Sequence, residues 1–86
     1  MTYYISVSTT NGKTVIEGTL AEFNQVLEAS FDTCDKLVDA LIEDNELLER
    51  FYIDEWGIGE ITYSTTQPNS YDYYCSVADI VADMEQ

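Results

Sequence analysis

The sequence contains no histidine, and this absence excludes many common catalytic and metal-binding centres. Serine or cysteine triads that use imidazole as the base cannot form, nor can zinc sites that contain histidine. Cys34 and Cys75 are the only cysteines, too few for a four-thiolate zinc site or a disulfide framework. In a reducing cytosol we expect both thiols to be free and packed as small hydrophobic side chains.

Loops that bind phosphate or calcium are also missing from the sequence. Gly57-Ile58-Gly59 lacks the third glycine and the lysine of phosphate-binding loops, and no calcium loop of the D-x-[DN]-x-[DN]-G type is present. Close pairs of carboxylates arise by chance in a chain this acidic, so they do not indicate a hydrolase. We therefore expect no enzymatic activity, no cofactor and no metal site.

Basic residues are scarce. Three lysines and arginines stand against seventeen aspartates and glutamates, so the net charge is −14. The charged fraction of 23% is ordinary. What is unusual is that nearly all of these charges are negative. Such a field repels nucleic acid and anionic membranes and steers the protein toward basic surfaces. We expect no direct binding to nucleic acid and no membrane partner.

Long apolar runs are absent too. None approaches the roughly 18–20 residues that span a bilayer, and the first residues, MTYYISVSTTNGK, lack the pattern of a secretory signal. The length of 86 residues and the hydrophobic content of 45% fit one compact acidic domain over residues 1–86. We expect it in the cytoplasm of a bacterial host cell, as a monomer or small homo-oligomer.

The first segment has the pattern of a β-hairpin. Asn11-Gly12 lies between two β-prone runs and is typical of a tight hairpin turn. A turn closed there places Val7 opposite Ile16 and Ile5 opposite Gly18. The apolar residues then share one face of the hairpin.

Two helices are predicted to follow. Thr19 and Glu22 have the spacing of a capping box, which predicts a short helix to about Ala29. Ser30-Phe31-Asp32-Thr33 predicts a break and the cap of the next helix, and Asp44-Asn45 predicts a bend or break within that helix. The apolar side of this second helical region comprises Cys34, Leu37, Val38, Leu41, Leu48 and Tyr52.

The C-terminal part predicts a second hairpin and a last helix. Glu60–Gln67 alternates as a strand, Pro68-Asn69 makes a turn, and Tyr71–Cys75 returns. Ser76 with Asp79 is the expected cap of the final helix. The predicted fold is α+β: a small antiparallel sheet of two hairpins with two to four helices on one face, in the order β-β-α-α-β-β-α.

The stretch DKLVDALIEDNELLER, residues 35–50, raises the main functional question. Its polar side is almost entirely acidic, although like charges four residues apart on a helix repel. A carboxylate on every turn recurs at about 5–6 Å, a repeat of similar order to the phosphates along a DNA strand. Such a row of carboxylates suits a cleft built for a nucleic-acid backbone.

Tyrosine is abundant, with seven residues, four of them in the predicted second hairpin. Exposed tyrosines beside carboxylates are good interface anchors because they stack on arginine. The candidate partner-binding residues are therefore Asp35, Asp39, Glu43, Glu46, Asp72 and Tyr74.

In size, acidity and use of tyrosine, the whole chain resembles the DNA-mimic inhibitors encoded by bacteriophages. These include anti-CRISPR proteins, anti-restriction proteins and uracil-DNA glycosylase inhibitors. The run Phe51-Tyr52-Ile53-Asp54-Glu55 is similar to an acidic-aromatic element of anti-restriction proteins. The resemblance implies a stoichiometric inhibitor that evades host defence by blocking a basic nucleic-acid-binding protein, such as a CRISPR effector, a restriction enzyme or another nuclease.

Two other interpretations remain open at this point. An immunity protein or antitoxin that neutralises a basic nuclease toxin would be equally small and acidic. An acidic structural or interaction module without an inhibitory role would use the charge for solubility alone. Reversing the charges of Asp35, Asp39, Glu43 and Glu46 separates the last interpretation from the others. Only the interpretation without an inhibitory role predicts that partner binding stays unchanged.

Overall fold

The N-terminal hairpin forms the centre of the sheet in a computed structural model that describes residues 1–53 and 57–85. Strands β1 (Thr2–Thr9) and β2 (Gly12–Thr19) pair antiparallel, so the predicted hairpin is confirmed. Its predicted register is wrong by two residues, because Ile5 pairs with Ile16 and Val7 with Thr14. An even shift leaves every side chain on the face that was predicted.

The turn explains the shift in register. Thr10 and Asn11 occupy it, and Gly12, with a φ of 128°, begins β2. The Thr9 hydroxyl accepts a hydrogen bond from the Asn11 N–H and donates one to the Gly12 carbonyl, each at 3.1 Å. A threonine side chain thus closes the turn locally. Gly12 follows the two turn residues, whereas the sequence pattern predicted it as the second of them.

Two helices follow the hairpin, and their predicted caps are confirmed. Helix α1 (Leu20–Leu27) begins with the complete Thr19–Glu22 capping box. Helix α2 (Cys34–Glu43) begins where the Thr33 hydroxyl accepts the Lys36 N–H at 3.2 Å. The predicted break is also confirmed, since α2 ends at Asp44, which caps a 3₁₀ helix over Asn45–Phe51.

The two remaining strands lie at opposite edges of the sheet. Strand β3 (Ile61–Ser64) pairs antiparallel with β1, and strand β4 (Tyr73–Ser76) pairs parallel with β2. The strand order is β3-β1-β2-β4. The predicted second hairpin and the purely antiparallel sheet are therefore wrong, whereas the α+β class and the element order are confirmed. Alternation identified the strands, but it carries no information on which edge each one joins.

The helices pack on the face of the sheet that carries Ile5, Val7 and Ile16. Helix α3 (Val77–Met84) follows β4 directly and lies over β2, where a Cβ on Gly18 would lie only 2.8 Å from the Val77 Cβ. Fully buried side chains of the core include Ile5, Val7, Ile16, Phe23, Leu37, Leu41, Leu48 and Val77. Cys34 is buried, Cys75 is half-buried and both are free thiols.

Two local predictions are wrong. The Ser76 side chain makes no capping hydrogen bond, because the chain passes straight from β4 into α3. Tyr52 is 78% exposed instead of buried, since it ends the 3₁₀ helix in a left-handed conformation and Phe51 takes the core position. Asp54 and Glu55, the acids of the predicted acidic-aromatic element, fall outside the described residues.

Candidate interaction surface

Helix α2 presents a row of carboxylates to solvent. Its apolar side is buried, and Asp35, Asp39 and Glu43 are all exposed on the other side. Successive members are four residues apart, a rise of about 6 Å along the helix axis. The three acids therefore lie on the solvent side of one helix, as their spacing predicted, and a single element holds them.

Few cations offset this row. Lys36 pairs with Asp32 at 3.4 Å, and both side chains are largely exposed, so the pair contributes at most about 1 kcal/mol. It is the only ion pair among residues 1–53 and 57–85. Arg50 donates a hydrogen bond to the Val26 carbonyl at 3.4 Å. The row consequently keeps its negative potential toward solvent.

Strand β3 fixes the first carboxylate of the row. The Tyr63 hydroxyl donates a hydrogen bond to the Asp35 carboxylate at 2.5 Å, and its ring meets Tyr3 edge-on with the centroids 6.1 Å apart. This hydrogen bond, with smaller contributions from desolvation and the Asp35 charge, raises the pKa of Tyr63 to about 12. Holding Asp35 in one orientation reduces the entropy that a partner must remove on binding.

Glu46 lies beyond the break at the end of α2. The Asn45 side-chain amide donates to the Leu41 carbonyl at 2.7 Å, and the Glu46 N–H donates to the Asp44 carboxylate at 3.2 Å. Glu46 is exposed, so it extends the acidic surface on a different element. Ile42 is 53% exposed and gives this part of the surface an apolar side chain that the sequence analysis did not identify.

Asp72 lies at the opposite edge of the sheet, where it is used within the fold. Its carboxylate accepts the Lys13 N–H at 2.8 Å, and its own N–H donates to the Lys13 carbonyl at 2.8 Å. A Cβ on Gly12 would meet the Asp72 carboxylate oxygen at 2.4 Å. Asp72 therefore joins the start of β4 to the start of β2, a role that the spacing of acids along the sequence could not reveal.

Tyr74 lies on the face of the sheet away from the helices. Its parallel partner Val15 is fully buried outside the main core, and the Tyr71 ring lies 5.2 Å from the Tyr74 ring. The Tyr74 hydroxyl donates to the Glu17 carboxylate. Desolvation and this hydrogen bond raise the pKa of Tyr74. Contrary to the alternation of the sequence, Tyr71 and Tyr74 lie together, because Tyr71 precedes β4.

The six predicted contact residues thus form two groups. Asp35, Asp39, Glu43 and Glu46 follow α2 and the 3₁₀ helix, and α2 lies beside β3. Asp72 and Tyr74 belong to the β4 edge, three strand spacings or about 14 Å from β3. The fold does not combine them into one surface, and the α2 row is the larger group.

No protein-family model matches the chain, and no curated protein or solved structure matches it either. In the described part of the chain, acidic and sulfur side chains do not gather into a group that could hold a metal ion. None of the described helices has the length and apolar character needed to cross a membrane.

Proposed function

We propose that the protein is a stoichiometric inhibitor of a nucleic-acid-binding bacterial defence complex, with an anti-CRISPR protein as the leading case. The observation that carries the proposal is the α2 row of Asp35, Asp39 and Glu43, exposed and without a paired cation among the described residues. The row imitates a phosphate backbone. It occupies the cationic cleft in which the complex would bind its target DNA or RNA.

Charge spacing supports this mechanism. Successive carboxylates of the row are about 6 Å apart along the helix axis, and arginine and lysine side chains in a cleft are flexible enough to follow such a repeat. A folded protein loses less conformational entropy on binding than a flexible acidic tail. The inhibitor therefore competes with nucleic acid through a pre-formed row, and its affinity should fall as salt screens the charges.

Affinity capture from a bacterial lysate tests the proposal. The bait is compared with a variant carrying Asp35→Asn, Asp39→Asn and Glu43→Gln. A matched control carries Glu28→Gln, Glu60→Gln and Glu85→Gln, which remove the same charge from other exposed positions. We expect the bait and the control to retain a DNA- or RNA-handling protein, the α2 variant to lose it, and added duplex DNA to compete.

Two results would contradict this function. One is the capture of only proteins that handle no nucleic acid. The other is equal loss of binding in the α2 variant and the matched control, because total charge rather than the row would then decide binding.

A nuclease immunity protein is the second candidate, favoured by the cluster of Tyr71, Tyr74 and Glu17 on the opposite face of the sheet. If α2 acts by imitating a nucleic-acid phosphate backbone, this cluster has no role in binding. Aromatic anchors beside a carboxylate instead suit the basic active site of a nuclease. For this candidate we expect Tyr74→Ala to weaken partner binding more than the α2 substitutions do, in the same capture assay.

A further inference from the structure

A groove with a volume of about 640 Å³ lies beside α3, on the far side of the molecule from β3. It is bounded by the end of the 3₁₀ helix, by β4 and by the helix that follows β4. Its size falls within the range of about 300–1,000 Å³ typical of ligand sites. The α2 row does not line it.

The lining of the groove combines an apolar base with aromatic sides. Phe51, Ile53 and Ile80 line it and are all at least nine-tenths buried. Tyr73 and Tyr52 also line it and are 57% and 78% exposed. Tyr52 has a φ of 63°, a conformation that is costly for a large side chain.

All charge on the described lining is negative. Asp79 and Asp83 both line the groove, and they share a face of α3 because they are four residues apart. No lysine or arginine appears among the lining residues in the described part of the chain. These charges favour an occupant that carries positive charge, and the aromatic sides favour one with an apolar or planar body.

We infer that this groove receives an arginine side chain from a basic segment of the partner protein, an inference that rests on the proposed function and adds a second contact to it. A guanidinium group fits this chemistry better than an ammonium group. It stacks on tyrosine, is weakly hydrated and donates to two acceptors at once. The aliphatic stem of the arginine covers the apolar base of the groove.

The net charge disfavours the simplest alternative occupant. A second copy of the chain would carry another −14, and in a two-fold symmetric contact at this groove its own Asp79 and Asp83 would oppose the same two acids. Like charges opposed across an interface cost several kcal/mol. A basic partner segment gains from the same field that repels a copy.

Titration with a small probe tests the groove directly. Nα-acetyl-arginine methylamide is added to the folded protein, and its neutral citrulline analogue serves as the matched probe. Amide chemical shifts are followed by NMR. We expect arginine to shift the signals of Tyr52, Tyr73, Asp79 and Ile80 selectively, and citrulline to leave them nearly unchanged.

Paired variants separate the groove from the general acidity of the protein. Asp79→Asn with Asp83→Asn should weaken arginine binding about tenfold, since both charged acceptors are lost. Glu28→Gln with Glu60→Gln removes the same charge from positions outside both proposed surfaces and should change it less than about twofold, because exposed charges at a distance are screened. All four side chains are exposed, and the amide spectrum of each variant checks that it folds.

Three outcomes would overturn the inference: no arginine binding in the groove, shifts spread evenly over the acidic surface, or equal weakening by the two paired variants. Failure of the proposed function has a different signature. If arginine binds selectively in the groove but no nucleic-acid-handling protein is captured from lysate, the groove inference stands and the inhibitor function is rejected. If the α2 variants lose capture but arginine does not bind in the groove, the inhibitor function stands and the groove inference is rejected.

Discussion

Glu28 ends helix α1 in a left-handed conformation, with a φ of 54° and a ψ of 46°. Glycine is the usual residue at such a position, because a Cβ there costs roughly 1–2 kcal/mol. The glutamate also places a negative charge at the negative end of the helix dipole. Local stability is therefore not optimal at this residue.

We expect Glu28→Gly to stabilise the protein by about 0.5–1 kcal/mol, because relief of strain outweighs the extra freedom of glycine in the unfolded chain. Urea denaturation measures the change. Glu28→Gln is the control that removes the charge and keeps the strain, and it should gain less than half as much. Equal gains from both variants would assign the effect to charge instead.

The hydrogen bond between Tyr63 and Asp35 makes stability depend on pH at the alkaline end. Tyrosine ionises near pH 10 in the unfolded chain and near pH 12 in the folded protein. The folded state thus holds more protons in this window, so the contribution is complete below pH 10 and declines as pH rises toward 12. We expect Asp35→Asn to return the pKa of Tyr63 toward 10, as measured by tyrosinate absorbance. An unchanged pKa would show that the Asp35 carboxylate does not cause the shift.

At the scale of single elements, Asp72 joins β4 to β2. Asp72→Ala removes the acceptor of the Lys13 N–H, and we expect a loss of about 1 kcal/mol in the free energy of unfolding. Asp72→Asn retains an acceptor oxygen and should lose less. Amide hydrogen exchange should show the loss of protection concentrated in β4, whereas a uniform change would indicate a global effect.

Prediction from sequence succeeded where the determining interactions are local. The Thr19–Glu22 capping box, the Thr33 cap and the Asp44 break each involve residues within a few positions of one another. The partners of β3 and β4 are set by contacts across most of the chain, such as that of Asp72 with Lys13. Alternation of apolar residues contains no signal for such contacts.

The candidate site followed the same division. Helical spacing was sufficient to place Asp35, Asp39 and Glu43 together on the solvent side of α2. It could not show that Asp72 binds backbone groups, nor that Tyr63 orders Asp35. The groove beside α3 could not be predicted either, because its lining comes from three separate segments of the chain: the β1–β2 hairpin, the end of the 3₁₀ helix, and β4 with α3.

For the whole molecule, the charge of −14 gives salt opposite effects on folding and on binding. Screening weakens repulsion within the folded domain, so we expect the melting temperature to rise between about 0.05 and about 0.5 M sodium chloride, because the Debye length shortens there from about 14 Å to about 4 Å. Affinity for the proposed basic partner should fall over the same range. Thermal melts and binding titrations on one salt series measure both; parallel trends would exclude electrostatic attraction as the source of affinity.

The parallel pairing of β4 with β2 also bears on how the chain avoids aggregation. Lys13 and Asp72, which join these strands, are 59 residues apart, and contacts of such long range form late in folding. Until β4 pairs with β2, the N–H and C=O groups along that edge of β2 are unpaired, and a strand from another molecule could pair with them. Two chains that have not yet paired β4 carry the same surplus of carboxylates and repel one another, so the net charge of −14 also opposes pairing between unfinished sheets.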